Sequence, residues 1–104
     1  MDKVQDSHID CAVSKTLKIV GRKWTMLLLH NIFEGKKRFG ELQRALPGIS
    51  PKTLTERLRE LEKDGIIIKK VYAEVPLHVE YNLTEKGKSL RGVFRSLENW
   101  GNKS

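Results

Sequence analysis

The stretch GISPKTLTERLRELEKDGII, residues 48 to 67, constrains the fold more than any other part of the chain. It carries signals for both ends of one helix. Ser50 stands at the N-cap position, where a hydroxyl can accept from an amide of the first turn. Pro51 stands at the first helical position, where a missing N–H is harmless. Gly65 follows the last periodic position as a C-cap. Between these ends, Leu54, Leu58 and Leu61 fall at i, i+4 and i+7 and share one buried stripe.

Gly and Pro punctuate the rest of the chain into short elements. The spacing predicts a short helix over Val13 to Val20, carrying Val13, Leu17 and Val20 and ended by Gly21. A second helix is expected from Lys23 to Phe33, with Trp24, Leu27, Leu28 and Ile32 at helical spacing and Gly35 beyond its end. KKRF then runs into a third helix, Phe39 to Leu46, closed by Pro47-Gly48. After Gly65 the period changes. IIIKKVYAEV is β-rich and HVEYNL alternates, which predicts a hairpin of strands Ile67 to Val75 and His78 to Leu83 around Pro76-Leu77. Thr84 caps a last helix to about Trp100, with Leu90, Val93, Phe94, Leu97 and Trp100 on its apolar face. The expected fold is mainly α with a small β-hairpin, the winged helix-turn-helix arrangement, in which a tight helix–turn–helix precedes a hairpin.

The 104 residues fit one domain, residues 1–104, with 1–8 as a flexible lead. The last helix is broader in its apolar face than so small a domain needs. Together with the first helix it is the candidate dimer surface, segments 9–20 and 84–101, through Leu17, Leu90, Val93, Leu97 and Trp100. Packing within the chain's own core is the competing reading of the same residues.

Twenty Lys+Arg against 13 Asp+Glu leave a net charge of +7. Such an excess favours an anionic partner, nucleic acid first and a membrane surface second. No apolar run approaches the roughly 20 residues of a spanning helix. MDKVQDSHID carries acids and no apolar signal core. One cysteine excludes an intrachain disulfide and suits a reducing compartment. The expectation is a cytoplasmic protein without a membrane partner.

On a wheel centred on the three leucines, Lys52, Glu56, Arg59, Glu60 and Lys63 lie opposite the core, with Thr53 and Arg57 flanking them. In a helix-turn-helix, the N-terminal half of the second helix meets base edges in the major groove. Ser50, Lys52, Thr53, Glu56 and Arg57 occupy that half. Arg and Lys suit guanine O6 and N7, Glu the cytosine amine, and Thr a thymine methyl. Arg59 and Lys63, further back, suit phosphates. A solvated charged face is the competing reading, but Glu56–Glu60, Arg59–Lys63 and Glu60–Asp64 are like-charged pairs at i,i+4 and disfavour it. Context favours nucleic acid further. PGIS is a short Gly-bearing turn between helices. Lys69 and Lys70 stand at the hairpin base and His78 near its tip. Lys37 and Arg38 precede a helix, where cations and free N–H groups hold phosphate.

Cys11 fits two descriptions: a small buried residue, or a redox sensor whose thiolate is favoured by His8 and Lys15. With one Cys per chain, the products open to a sensor are an intersubunit disulfide, a mixed disulfide with a small thiol, or an electrophile adduct. His8 and Cys11 have H-x-x-C spacing, but a structural zinc site needs four ligands, and His30 and His78 complete no cluster. GKS at Gly87 to Ser89 lacks the glycine-rich loop of a phosphate-binding motif. No Ser/His/Asp set or carboxylate pair has local support as a catalytic site. No cofactor, metal or enzymatic activity is expected.

Taken together, Cys11, GRKW, RFGELQRALPGISPKTLTERLRELEKDGII, VPLHVEYNLTEKG and LENWG resemble the HxlR family of winged helix-turn-helix regulators, relatives of the MarR group. The resemblance covers residues 9 to 101. It implies a homodimeric cytoplasmic DNA-binding protein, joined through its N- and C-terminal helices, with two recognition helices on an inverted-repeat operator. It also implies a response to quinones, aldehydes or disulfide stress, since some members sense these through a cysteine at the Cys11 position. Two departures stand out. Ala12 replaces the proline frequent after that cysteine, and Leu77-His78 replaces a basic residue before VEY, which weakens minor-groove attraction. The competing function is a winged-helix protein-interaction module without sequence-specific DNA binding.

Overall fold

The computed structural model describes residues 12–104. The readings placed on His8, Cys11 and the leading segment lie outside the described residues. The order is α1 (Val13–Val20), α2 (Thr25–Phe33), β1 (Lys37–Arg38), α3 (Phe39–Ala45), α4 (Pro51–Lys63), β2 (Ile67–Tyr72), β3 (His78–Leu83) and α5 (Glu85–Lys103). The strands form one antiparallel sheet in the order β1-β3-β2. Helices α3 and α4 with their tight turn, followed by the β2–β3 hairpin, make a winged helix-turn-helix.

Helix α4 begins and ends for local reasons. Ser50 Oγ accepts from the Thr53 amide at 3.1 Å, and Pro51 is the first helical residue. At the other end Gly65 takes a left-handed φ of 74°, open to glycine without a Cβ penalty. Its N–H reaches the Glu62 carbonyl at 3.0 Å, and the Ile66 N–H reaches back to Leu61 at 2.9 Å. These bonds satisfy the last carbonyls of the helix, and Ile66 and Leu61 are both buried beside them. The chain therefore leaves α4 directly into the core and starts β2.

The predicted stripe is the centre of that core. Leu54, Leu58 and Leu61 are at most 1% exposed. They belong to one cluster with Leu28, Leu29 and Ile32 of α2, Leu42 of α3, and Ile66, Ile67, Tyr81 and Leu83 of the sheet region. Each fully buried leucine contributes about 1.5–3 kcal/mol of hydrophobic stabilisation. Thr84 caps α5 by accepting from the Gly87 amide at 3.0 Å, while its own hydroxyl donates to the Gly65 carbonyl. A Cβ on Gly87 would overlap the Ile66 carbonyl oxygen, so only glycine lets α5 start this close to the sheet.

Five boundaries differ from the sequence expectation, the smallest being α3, which ends at Ala45 with Leu46 as its C-cap. Helix α2 starts at Thr25, not Lys23, because Trp24 has a left-handed φ of 80° and cannot continue a helix. KKR is not simply a lead into α3: Lys37 and Arg38 form β1, paired with Tyr81 and Glu80. The first wing strand stops at Tyr72 instead of Val75, and its last partner is His78. Helix α5 continues past Trp100 to Lys103.

Candidate nucleic-acid interface

The exposed side of α4 is built by its leucines. With Leu54, Leu58 and Leu61 turned inward, Lys52, Glu56, Arg59 and Lys63 are exposed to solvent. Lys52 and Glu56 stand in the N-terminal half, and Arg59 and Lys63 in the C-terminal half. Thr53 is half-buried, and its Oγ1 accepts from Ser50 Oγ at 3.0 Å. Ser50 is exposed, but its hydroxyl both caps the helix and donates to Thr53. It shapes the N-terminus of α4 and has no free donor for a base.

Arg57 requires a correction. Its placement at the edge of the polar face suggested a reader of bases. Instead its Nε donates to the Lys23 carbonyl at 2.9 Å, and Nη1 meets Glu60 Oε1 at 3.3 Å. Its side chain is only 20% exposed. The long guanidinium arm folds back across the helix to the α1–α2 turn. Glu60 also pairs with Arg22 Nε at 3.6 Å, and Arg22 Nη1 lies 3.6 Å from Asp64 Oδ2. Arg22 therefore offsets the Glu60–Asp64 repulsion anticipated from the sequence. Neither Arg22 Nη1 nor Asp64 Oδ2 has a hydrogen-bond partner among the described residues. The Arg57–Glu60 spacing was visible as an i,i+3 pair; nothing local pointed to Lys23.

The sheet gathers cations that are distant in sequence. Lys37 of β1 and Lys69 of β2 both lie opposite Tyr81, while Arg38 and Lys70 both lie opposite Glu80. Lys69, Lys70 and Arg38 are exposed. Lys37 is half-buried and pairs with Glu34 at 3.7 Å. The Arg38 N–H, at the helix start where the sequence suggested a phosphate site, already donates to Glu41 Oε1 at 2.8 Å. Lys36 pairs with Glu80 at 3.6 Å.

His78 is not a free residue at the wing tip. Its ring stacks on Tyr72 at 4.6 Å, Nδ1 lies 3.0 Å from Glu74 Oε1, and Nε2 lies 3.4 Å from Glu80 Oε2. These contacts occupy both ring nitrogens within the hairpin. The tip itself presents Val75 and Leu77 to solvent. Burial of Tyr81 pushes its phenol up, helped by Glu62 and opposed by Arg59.

A second feature lies away from this surface. Ala12, Val13, Thr16, Leu17, Val20, Met26, Val93 and Leu97 line an apolar groove of about 370 Å³ between α1 and α5. Leu17 and Leu97 are 54% and 53% exposed, and Trp100 is 74% exposed. Leu90 does not join this face: it packs against the chain's own core. Among the described residues no three His, Cys, Asp or Glu side chains cluster to hold a metal. No described helix is long and apolar enough to cross a membrane.

A family model for the HxlR-like helix-turn-helix matches residues 19–104. YdeP, an uncharacterized HTH-type transcriptional regulator of Bacillus subtilis (strain 168), is 45% identical over 103 residues, 99% of this chain and 80% of that protein. A solved structure from Porphyromonas gingivalis W83, assigned to the MarR family of transcriptional regulators, superposes with a TM-score of 0.86 at 40% identity, covering 91% of this chain and 93% of that one. The redox regulator HypR in its oxidized form gives a TM-score of 0.85 at 44% identity, covering 90% and 97%. The protein thus belongs to the HxlR-like helix-turn-helix family, a transcriptional regulator with a DNA-binding winged-helix fold.

Proposed function

We propose that the protein is a homodimeric, sequence-specific DNA-binding regulator acting in the cytoplasm on an inverted-repeat operator. The observation that carries this reading is the N-terminal half of α4. There Lys52 and Glu56 are exposed on a helix fixed at both ends and by its buried leucines. One contact type for each follows from base-edge chemistry: Lys52 to guanine, Glu56 to the cytosine amine. Arg59 and Lys63 track phosphates, and Lys69, Lys70 and Arg38 add positive charge from the sheet. The apolar groove between α1 and α5 accepts the same groove of a second copy, since a two-fold interface uses one patch twice. The protein-interaction alternative gives no role to the exposed cations.

Cys11 is the proposed sensor. Its support is local chemistry, with His8 and Lys15 nearby in sequence, and the likeness to a redox regulator. Its thiolate would add to an electrophile, or two thiols of a dimer would give two electrons to an oxidant such as diamide and form one disulfide. Operator binding is measured before and after diamide or a quinone, for wild type and Cys11→Ser. Loss or gain confined to the wild type supports sensing; unchanged binding by both removes it.

Selection of bound fragments from genomic DNA tests the main reading. Enrichment of one inverted-repeat sequence is expected. No enrichment at low salt, with the chain folded, would favour the interaction module instead.

A further inference from the structure

We infer that Arg57 is a positioning residue, and that Arg22, Lys23 and Trp24 form a latch that sets the orientation of α4. The inference rests on α4 being the recognition helix. Two sets of polar contacts run from this one turn to α4, and a third side chain approaches the turn before it. The Lys23 carbonyl accepts from Arg57 Nε at 2.9 Å. The Arg22 guanidinium spans Glu60 and Asp64 at 3.6 Å each. The Trp24 indole extends to the turn before α4, where a Cβ on Gly48 would sit 3.8 Å from Trp24 Cη2. The latch therefore bonds the middle of α4 and its C-terminal end, and its indole reaches toward the turn that leads into the helix.

The backbone of the latch is held in one conformation. Trp24 has a φ of 80°, an outlier for so bulky a residue. Around it the Thr25 amide donates to the Arg22 carbonyl at 3.2 Å, and the Trp24 carbonyl accepts from the Leu28 amide at 2.8 Å. A left-handed bend aims the Lys23 carbonyl and Arg22 side chain at α4 together. The leucine stripe holds α4 against the core, but apolar packing is non-directional. Directional bonds from Arg57 and Glu60 fix the rotation of the helix about its axis, which decides where Lys52 and Glu56 point. Misplacement by about 1 Å is enough to spoil an oriented contact. The latch follows α1 after Gly21 alone, so one turn anchors both helices.

Removing Glu60 separates this role from simple electrostatics. Deleting an acid near DNA should tighten binding to any duplex if charge alone matters. The latch predicts the opposite for the cognate site. The probes are an operator duplex selected by the wild-type protein and a shuffled duplex of equal composition. Glu60→Gln and Arg57→Lys are each expected to weaken operator binding roughly tenfold, the scale of one charge-assisted hydrogen bond. Shuffled-duplex binding and the salt slope should stay unchanged or rise. The double variant should lose less than the sum of the two singles, because both weaken the shared Arg57–Glu60 contact while each also loses a partner of its own, Lys23 or Arg22. Should either single variant lose its fold, Arg22→Gln replaces it, with the same fall in the operator-to-shuffled ratio expected. Equal tightening of both duplexes by Glu60→Gln overturns the latch. So does a salt slope reduced by about one in Arg57→Lys, the mark of a phosphate contact. If the wild-type protein selects no operator, the proposed recognition role fails, and the latch fails with it.

Discussion

Glu80 Oε1 lies 3.6 Å from Lys36 Nζ, which ties the central strand of the sheet to the residue leading into β1. Burial alone would raise the Glu80 carboxyl. Lys36, a hydrogen bond from Tyr72 and the His78 ring together outweigh it and hold the group below the usual glutamate value of 4.5. A carboxyl depressed on folding stabilises the native state above its unfolded value, and that contribution is lost as pH falls through the lower folded value. Glu80→Gln should therefore be less stable than wild type at pH 7, and the difference should close in acid below about pH 4.5. Urea midpoints at pH 7 and pH 3 measure this; a gap of constant size would remove the assignment.

The two ends of α4 should be separable from its exposed charged side chains. Ser50→Ala removes the cap and should cost about 1 kcal/mol of stability. Gly65→Ala forces an L side chain into the left-handed region and should cost about 1–2 kcal/mol. Denaturant unfolding gives both values. For Ser50→Ala the salt slope of DNA binding should not change, since its hydroxyl is committed to Thr53.

Much of this was legible because it was local. The cap at Ser50, the proline after it, the leucine spacing and the stop at Gly65 all lie within residues 50 to 65, and each signal acts on its own neighbours. The missed features are non-local. Strand β1 is two residues long, too short for alternation to show, and exists only because β3 pairs with it. The Trp24 turn hid inside a helical apolar pattern that its φ interrupts. Arg57 sat at the edge of the polar face on a wheel, which does not show where a long side chain folds; its partner carbonyl is 34 residues away. His78 does stand near the tip, in the last pair before the loop, but its stacking on Tyr72 and its carboxylate neighbours could not be read from the sequence. The apolar face of α5 was read correctly as broad, but the sequence alone did not assign Leu90 to the core and Leu97 to the surface.

That division predicts opposite behaviour for two leucines on one helix. Leu97→Glu should convert a dimer to a monomer while leaving the subunit folded, since a two-fold interface feels the change twice. Each leucine withdrawn from an apolar contact is worth about 1.5–3 kcal/mol. Leu90→Ala should instead destabilise the subunit itself, by up to about 2–5 kcal/mol for a well-packed site. Sedimentation velocity and thermal unfolding distinguish the two. A dimer that survives Leu97→Glu would place the interface elsewhere.

Lys52 and Arg59 should differ in kind. Lys52→Ala should cost about 1–3 kcal/mol on the operator and relax discrimination at one base pair. Arg59→Ala should weaken all sequences alike and reduce the salt slope by about one. Equal losses on operator and random DNA for Lys52→Ala would move that residue to the phosphate class.

Helix α4 is proposed to read sequence from a charged winged-helix surface. Fluorescence anisotropy of the wild-type protein, on its selected operator and on a shuffled duplex over a range of salt, tests it most directly. Operator binding should be at least about 10³-fold tighter at physiological salt, with log affinity falling linearly with log salt on both duplexes. Equal affinity for the two duplexes across the whole salt range would contradict it.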